Sequence, residues 1–392
     1  MALLVHKGFD ALDVAFMGQI STRLAEFLDL KKTEAQETGI PSLAELNGLK
    51  FHVGPSGGAG GYAFICNTGK AGEVWKLKRP TPSGKWGIFV SVSAVRVALH
   101  GLARVRLHLI DTLKKLDVVY LEGTERINRV DFALDFLMPN FVLSESSFVM
   151  GQRFARCKAG VIGEPYRQDG KSNRVTGVTI GKNPGRQIVI YDKRLQIMTV
   201  RDKMFWLEVW NRNLLSAGKR PIDLTDAEKS PVWRIELRLY RNILKSKRYK
   251  ITSFGTLEYK LAFMFSELLQ DVRYVVPSGD SNRSRWPNHP IWNTVKSELE
   301  TELTSQHSDL PVGHVLQIQR EEKSQMLVRQ IAGCIIALAG LHGVKPTHFI
   351  KYAHQTMNEI LELYENDPNR TERKLKLALS RFAFSQANRE SD

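Results

Sequence analysis

Cysteine is scarce in this chain: three residues in 392, Cys66, Cys157 and Cys334, lie far apart and never form a CxxC pair. An odd, scattered count argues against a disulfide framework and predicts a reducing compartment. The missing pairs exclude the usual structural zinc spacings. Ten histidines include no His-x-His pair, so a metal site built on two such imidazoles is excluded as well. The glycine-rich GPSGGAGG at 54–61 lacks the Gly-Lys-Ser/Thr ending of a phosphate loop and the GxGxxG spacing of a dinucleotide fold. It reads as a flexible hairpin loop. Long apolar runs are also lacking. The N-terminus has no signal-peptide core. The most apolar run, Ile331 to Leu341, is too short to cross a bilayer and reads as a buried helix. These absences predict a cytoplasmic protein with no membrane partner.

Positive charge is what the chain has in excess, a formal +15. Its position says more than its size. Lys and Arg exceed Asp and Glu by 2 in residues 1–150 and by 14 in residues 151–290, and fall short by 1 in residues 291–392. A local excess with aromatics interleaved predicts a polyanion-facing surface, with nucleic acid as the partner. A solubilising excess is the bland alternative.

The pattern predicts α+β: antiparallel sheets with helices on one face, in two related halves, followed by an all-helical C-terminal region. Residues 1–120 form an N-terminal half and 121–285 a basic, DNA-facing catalytic half. Residues 290–392 hold helices near 293–306, 316–341, 346–365 and 370–385. Helices are also expected from Gln19 to Thr38, stopped by Gly39 and Pro41, and over 93–116, Glu145–Arg156 and 195–216. Residues 282–292 read as a linker or exposed loop. A hairpin is expected over Val175–Ile180 and Arg186–Tyr191, turning at Gly181-Lys182-Asn183-Pro184-Gly185. FDALDVAF at 9–16 loosely echoes VDFALDF at 130–136, and each run can open one half; coincidence is as good an account as duplication.

Three strands alternate apolar and polar residues: Arg129–Phe136, Ile188–Lys193 and Trp233–Tyr240. If one sheet buries their apolar sides, the other face gathers acids, arginines and Tyr191. Asp131 and Asp135, four apart, share a strand face, and Glu236 stands between Arg234 and Arg238. Carboxylates converging on an open face suit Mg²⁺ or Mn²⁺. Lys193, Arg234 or Arg238 can neutralise a phosphate. Tyr191, with an ordinary pKa of about 10, needs a metal or base beside it to act as a nucleophile. Each feature has a plainer account: a packed tyrosine, a surface salt-bridge ladder at Asp131 and Asp135, a solvated strand face at Glu236. Lys182, Arg186, Arg194 and the run Lys245, Lys247, Arg248 are the candidate DNA contacts.

Arg-Val-Asp-Phe-Ala-Leu-Asp at 129–135, Tyr-Asp-Lys at 191–193 and Trp-Arg-Ile-Glu-Leu-Arg at 233–238 occur together in one order. With Gly-Phe-Asp-Ala-Leu-Asp-Val at 8–14, they resemble the replication initiation factors of rolling-circle plasmids and filamentous phages, related to relaxases of conjugative elements. The resemblance spans residues 8–270. It implies a strand-specific nick in single-stranded or supercoiled origin DNA, with Tyr191 becoming linked to the 5′ end and the freed 3′ hydroxyl priming synthesis. It also implies that Asp131, Asp135 and Glu236 occupy the family's acidic positions. A relaxase acting on a transfer origin shares that chemistry. A DNA-binding regulator without catalysis, with a helical turn at Gly340–Pro346, is the reading from another class. The C-terminal helices are expected to serve self-association or contact with a host helicase or polymerase.

Overall fold

The computed structural model describes residues 2–82, 85–121, 123–151, 166–171, 174–200, 203–304, 306–308 and 310–385. Cys157 and the end of the helix expected to reach Arg156 lie outside the described residues. Fifteen strands are present among those described: Leu3–Phe16 (β1), Gly18–Gln19 (β2), Ser42–Leu46 (β3), Leu49–Val53 (β4), Phe64–Asn67 (β5), Glu73–Leu77 (β6), Ile88–Val92 (β7), Val119–Tyr120 (β8), Arg126–Leu137 (β9), Phe148–Met150 (β10), Tyr166–Lys171 (β11), Arg174–Gly181 (β12), Arg186–Asp192 (β13), Val232–Tyr240 (β14) and Val272–Tyr274 (β15). The α-helices are Thr22–Thr38 (α1), Ala94–Lys115 (α2), Lys193–Thr199 (α3), Phe205–Ser216 (α4), Arg241–Leu244 (α5), Phe254–Asp271 (α6), Pro290–Leu299 (α7), Val312–Leu341 (α8), Phe349–Glu365 (α9) and Pro368–Arg381 (α10).

Eleven strands make one sheet in the order β11-β12-β13-β14-β9-β1-β7-β6-β5-β4-β3, with every pair antiparallel. The two halves share a plan. A long strand opens each half (β1, β9). The last sheet strand of the half returns beside it (β7, β14), and a helix follows (α2, α6). The two opening strands carry the echoed sequences and pair with each other at the centre of the sheet.

Period-two alternation gives the sheet one apolar face. Phe9, Leu12, Val130, Phe132, Ile188, Ile190, Ile235 and Leu237 lie in one buried core with residues of α1, α2, α6 and α7. Phe9, Phe132 and Phe265 form a chain of ring contacts at 5.3 and 5.8 Å. Burying each such side chain contributes about 1.5–3 kcal/mol. The helix ends are written locally. Ser21 accepts from Leu24 N at 3.1 Å, and Gly39 leaves α1 in the left-handed conformation that glycine adopts without strain.

Three expectations change. Residues 145–150 are a 3₁₀ turn and β10, not a helix, because β10 pairs with β15 and Phe148 packs on Tyr274. The helix expected over 195–216 divides into α3, capped by Asp192, and α4. The expected linker at 282–292 ends in α7, whose Ile291, Trp292, Val295 and Leu299 belong to the sheet core. Beyond it, α8 is 30 residues, about 45 Å at 1.5 Å per residue. By length and composition alone α8 meets the requirement of a bilayer-crossing helix, which the run Ile331–Leu341 by itself does not. Little of its apolar window is buried.

Candidate active site

The polar face of β13, β14, β9 and β1 places the site residues by register. Tyr191, Arg234, Asp135 and His6 stand side by side on four neighbouring strands. Val189, Glu236, Ala133 and Gly8 make the next row, and Gln187, Arg238, Asp131 and Ala11 the one after. The small Ala133 and Gly8 leave room beside Glu236. Gly177, across from Tyr191, does the same for the tyrosine: a Cβ there would come within 3.2 Å of Tyr191 Cβ. A bulge in β1 falls between Phe9 and Ala11, so Asp10 is the unpaired extra residue. The bulge turns its carboxylate onto the same face, where it meets Arg234.

This face is not open at its Tyr191 end. Helices α3 and α4 cover it, and Asp131, Asp135, Arg234 and Glu236 are all buried. Trp206 lies over Arg234 at 4.0 Å, and Trp210 Nε1 donates to Asp135 Oδ2 at 2.8 Å. Arg234 donates from Nε and Nη2 to the two oxygens of Asp135 at 2.6 and 2.7 Å, and from Nη1 to Asp10. Burial, the largest influence, pushes both carboxyls upward, but Arg234 together with Lys193 and other neighbouring groups outweighs it, and both titrate below the usual range. His6 is driven down to about 4, first by burial, and stays neutral.

Tyr191 is partly exposed at the rim of this buried cluster. Lys193 Nζ donates to Tyr191 Oη at 3.3 Å and to Gln196 Oε1 at 2.7 Å. Burial, and then the neighbouring Arg234 charge, bring Lys193 down to about 7. Burial, and then Glu236, hold the Tyr191 hydroxyl well above its ordinary value. A phenol that resists ionisation thus stands beside an amine that gives up its proton near neutrality.

The second group is Asp131, Glu236 and Arg238. Asp131 accepts from Arg129, and Glu236 Oε1 accepts from Arg238 Nε at 2.8 Å. Burial, helped by Glu236, raises Asp131 to about 8 despite Arg129. Glu236 Oε2 is buried without a hydrogen-bond partner. Both oxygens of Asp135 are taken by Arg234, both oxygens of Asp131 by Arg129, and only one oxygen of Glu236 is spare. Among the described residues no group of three His, Cys, Asp or Glu side chains is placed to hold a metal ion.

The expected DNA contacts divide. Lys182, Lys245 and Lys247 are exposed. Arg248 pairs with Glu267 and Arg186 with Asp271. Arg194 is a correction: it is buried and donates to the Leu224 carbonyl, so it holds α3 in place. Arg234 is also corrected, since its guanidinium is enclosed by Asp10, Asp135 and Trp206 and cannot reach a phosphate. Asp10, His6 and Trp206 were missed. The signals for Asp10 were its place in the echo of the Asp131 strand and in the run at 8–14.

No protein-family model matches this chain, and no curated protein matches it. Among solved structures it is similar to the rolling circle replication initiator protein from Geobacillus stearothermophilus. That match has 16% identity and a TM-score of 0.44, and it covers 77% of this chain and 99% of that one.

Proposed function

We propose that the chain initiates rolling-circle replication by nicking one DNA strand at an origin through Tyr191. The observation that carries this reading is the hydrogen bond from Lys193 Nζ to Tyr191 Oη at the rim of a buried charge cluster. Tyr191 Oη attacks the scissile phosphorus, a Tyr–O–P bond forms and the P–O3′ bond breaks. Neutral Lys193 takes the phenol proton, and the departing 3′ oxygen gains one from solvent to become the priming hydroxyl. One phosphodiester replaces another, so no ATP is needed and religation can follow. General-base help of this kind is worth about 10²–10⁴-fold.

Arg238, partly exposed, is the guanidinium able to reach the phosphate. Arg234 is a positioning residue that locks β1, β9 and β14 together beneath Tyr191. Of the DNA contacts expected from the sequence, Lys182, Lys245 and Lys247 are exposed and available to the DNA backbone. Residues 121–285 supply the chemistry, and residues 1–120 extend the same sheet. The helices beyond residue 290 offer a surface to a second copy or to a host helicase or polymerase. A relaxase on a transfer origin would use the same residues, and neighbouring genes separate the two roles.

The test is cleavage of single-stranded and supercoiled DNA tiled across the replicon, wild type beside Tyr191→Phe. A denaturation-resistant protein–DNA adduct formed by wild type alone supports the reading. DNA binding without any adduct turns it into a DNA-binding regulator.

A further inference from the structure

Beyond the reach of α3 and α4, the polar face of the sheet continues across β1, β7, β6 and β5. Here the residues in register are Ile65, Lys76, Phe89, Ala15 and Arg126. The next row is Asn67, Val74, Ser91, Asp13, Arg129 and Tyr240. Lys76, Phe89, Arg126 and Arg129 all remain partly exposed, while the opposite face of the same strands is fully buried under α1 and α2.

Cations and aromatic rings alternate on this face. Lys76 Nζ sits 5.1 Å from the Phe89 ring, Lys78 Nζ 5.2 Å from Tyr62, and the Arg126 guanidinium 3.8 Å from Trp86. Tyr62 and Phe89 are neighbours at 6.0 Å. Acids balance the charges of these rows only in part: Asp13 faces Lys76 and Arg129, and Arg129 is held by Asp131. Arg126 is lowered first by burial and then by Arg241 beside it, with no carboxylate opposing. Asp13, the carboxylate of these two rows, is pushed upward by burial. Two guanidiniums set together, with aromatic faces around them, form a surface that lacks an anion.

We propose that this face binds single-stranded DNA flanking the cut, with Tyr62, Trp86 and Phe89 stacking on bases and Lys76, Lys78, Arg126 and Arg241 contacting phosphates. Stacking platforms interleaved with cations suit unpaired strands, because a duplex hides its base faces. In register, these rows continue through Arg129 and Tyr240 to the Tyr191 rows. From β13 to β6 is five strand spacings, roughly 24 Å at about 4.8 Å each. The assignment of the bound strand as the flank of the cut rests on the nicking reading; the binding itself does not.

The test uses full-length protein carrying Tyr191→Phe, so that no cutting intervenes. Fluorescence anisotropy measures binding to a 5′-labelled oligothymidine of ~20 nucleotides, within reach of known single-strand site sizes, and to a duplex of equal length. Phe89→Ala is expected to weaken oligothymidine binding about 5- to 150-fold, the range for losing one base stack. Lys78→Gln, a milder surface change, is expected to lower the slope of log affinity against log salt by about 0.7. Unchanged affinity and slope in both variants overturn the proposal. So does a duplex preference that the two variants abolish. Oligothymidine binding that depends on Phe89, in a protein whose wild type never forms an adduct, upholds this surface and removes the nicking reading instead.

Discussion

One face of one sheet carries two very different charge environments. At the β13–β14–β9–β1 end, Arg234 is buried and held by Asp10 and Asp135 under Trp206. At the β1–β7–β6–β5 end, Arg126 is half-exposed, stacked on Trp86 and crowded by Arg241. A buried charge survives only with partners, because desolvation otherwise forces it to neutralise. An exposed one is free to wait for a ligand. The closed end can therefore set the ionisation of Lys193 and Tyr191, while the open end can only attract and hold.

The comparison breaks most completely at Tyr191. Tyr191→Phe should abolish the covalent DNA adduct on denaturing gels while leaving oligothymidine binding at the open end intact. Loss of both together would mean that the two ends do not work separately. Next in size is the contrast between arginines. Arg234→Met strands two buried carboxylates and should cost about 3–5 kcal/mol in urea unfolding. Arg126→Gln should cost only about 0.5–1 kcal/mol, the worth of an exposed cation–π pair. Similar costs at both positions would erase the distinction between a paired interior and a waiting surface.

Lys193→Met should slow nicking by about 10²-fold, at the low end of general-base contributions. Its pH profile is the sharper readout. The base acts when neutral, so wild-type rate should rise with pH through about 7 and then level. In the variant that inflection should vanish; an inflection that persists would assign the proton to another group. A pH-dependent effect on stability concerns Asp131, raised to about 8 from an ordinary carboxyl value. The folded state then holds a proton that the unfolded chain releases near pH 4, so its contribution to stability is present at low pH and is lost as pH rises toward 8. Asp131→Asn should gain stability relative to wild type progressively across that window, seen as a growing difference in Tm. A difference that stays flat with pH would mean that Asp131 is ionised in the fold.

The C-terminal helices add another contrast. On α8, Val328, Ile331, Ile336 and Leu341 are more than half exposed, whereas α7 buries Trp292 completely. The expectation of a buried helix at Ile331–Leu341 fails for this reason: the segment is apolar, but among the described residues little packs over it, and of its side chains Ala339 is buried.

Much of the fold was legible locally. Alternation in Arg129–Phe136 and Trp233–Tyr240 gave the strands and said which residues share a face. Gly39 marked the end of α1, and Gly181–Gly185 marked the hairpin. The candidate site was legible only in its membership. Tyr191, Lys193, Glu236, Asp131 and Asp135 do gather on one face, but their pairings were not readable. Asp10 reaches Arg234 through a bulge, and α4 brings Trp206 and Trp210 from beyond β13. The open surface was hidden more deeply. Tyr62, Lys76, Phe89, Arg126 and Arg241 are scattered along a stretch whose first 150 residues are nearly charge-neutral.

The sequence by itself determined the alternating strands such as Arg129–Phe136 and Trp233–Tyr240, their two faces and the residues each face presents, because side-chain alternation depends only on neighbours along the chain. Only the tertiary structure decided which part of the polar face is roofed and which is open, and so which charges are spent on one another and which remain free for a ligand. That choice depends on strand order and helix packing between residues tens to hundreds of positions apart, where desolvation rather than residue type sets what a charge can do.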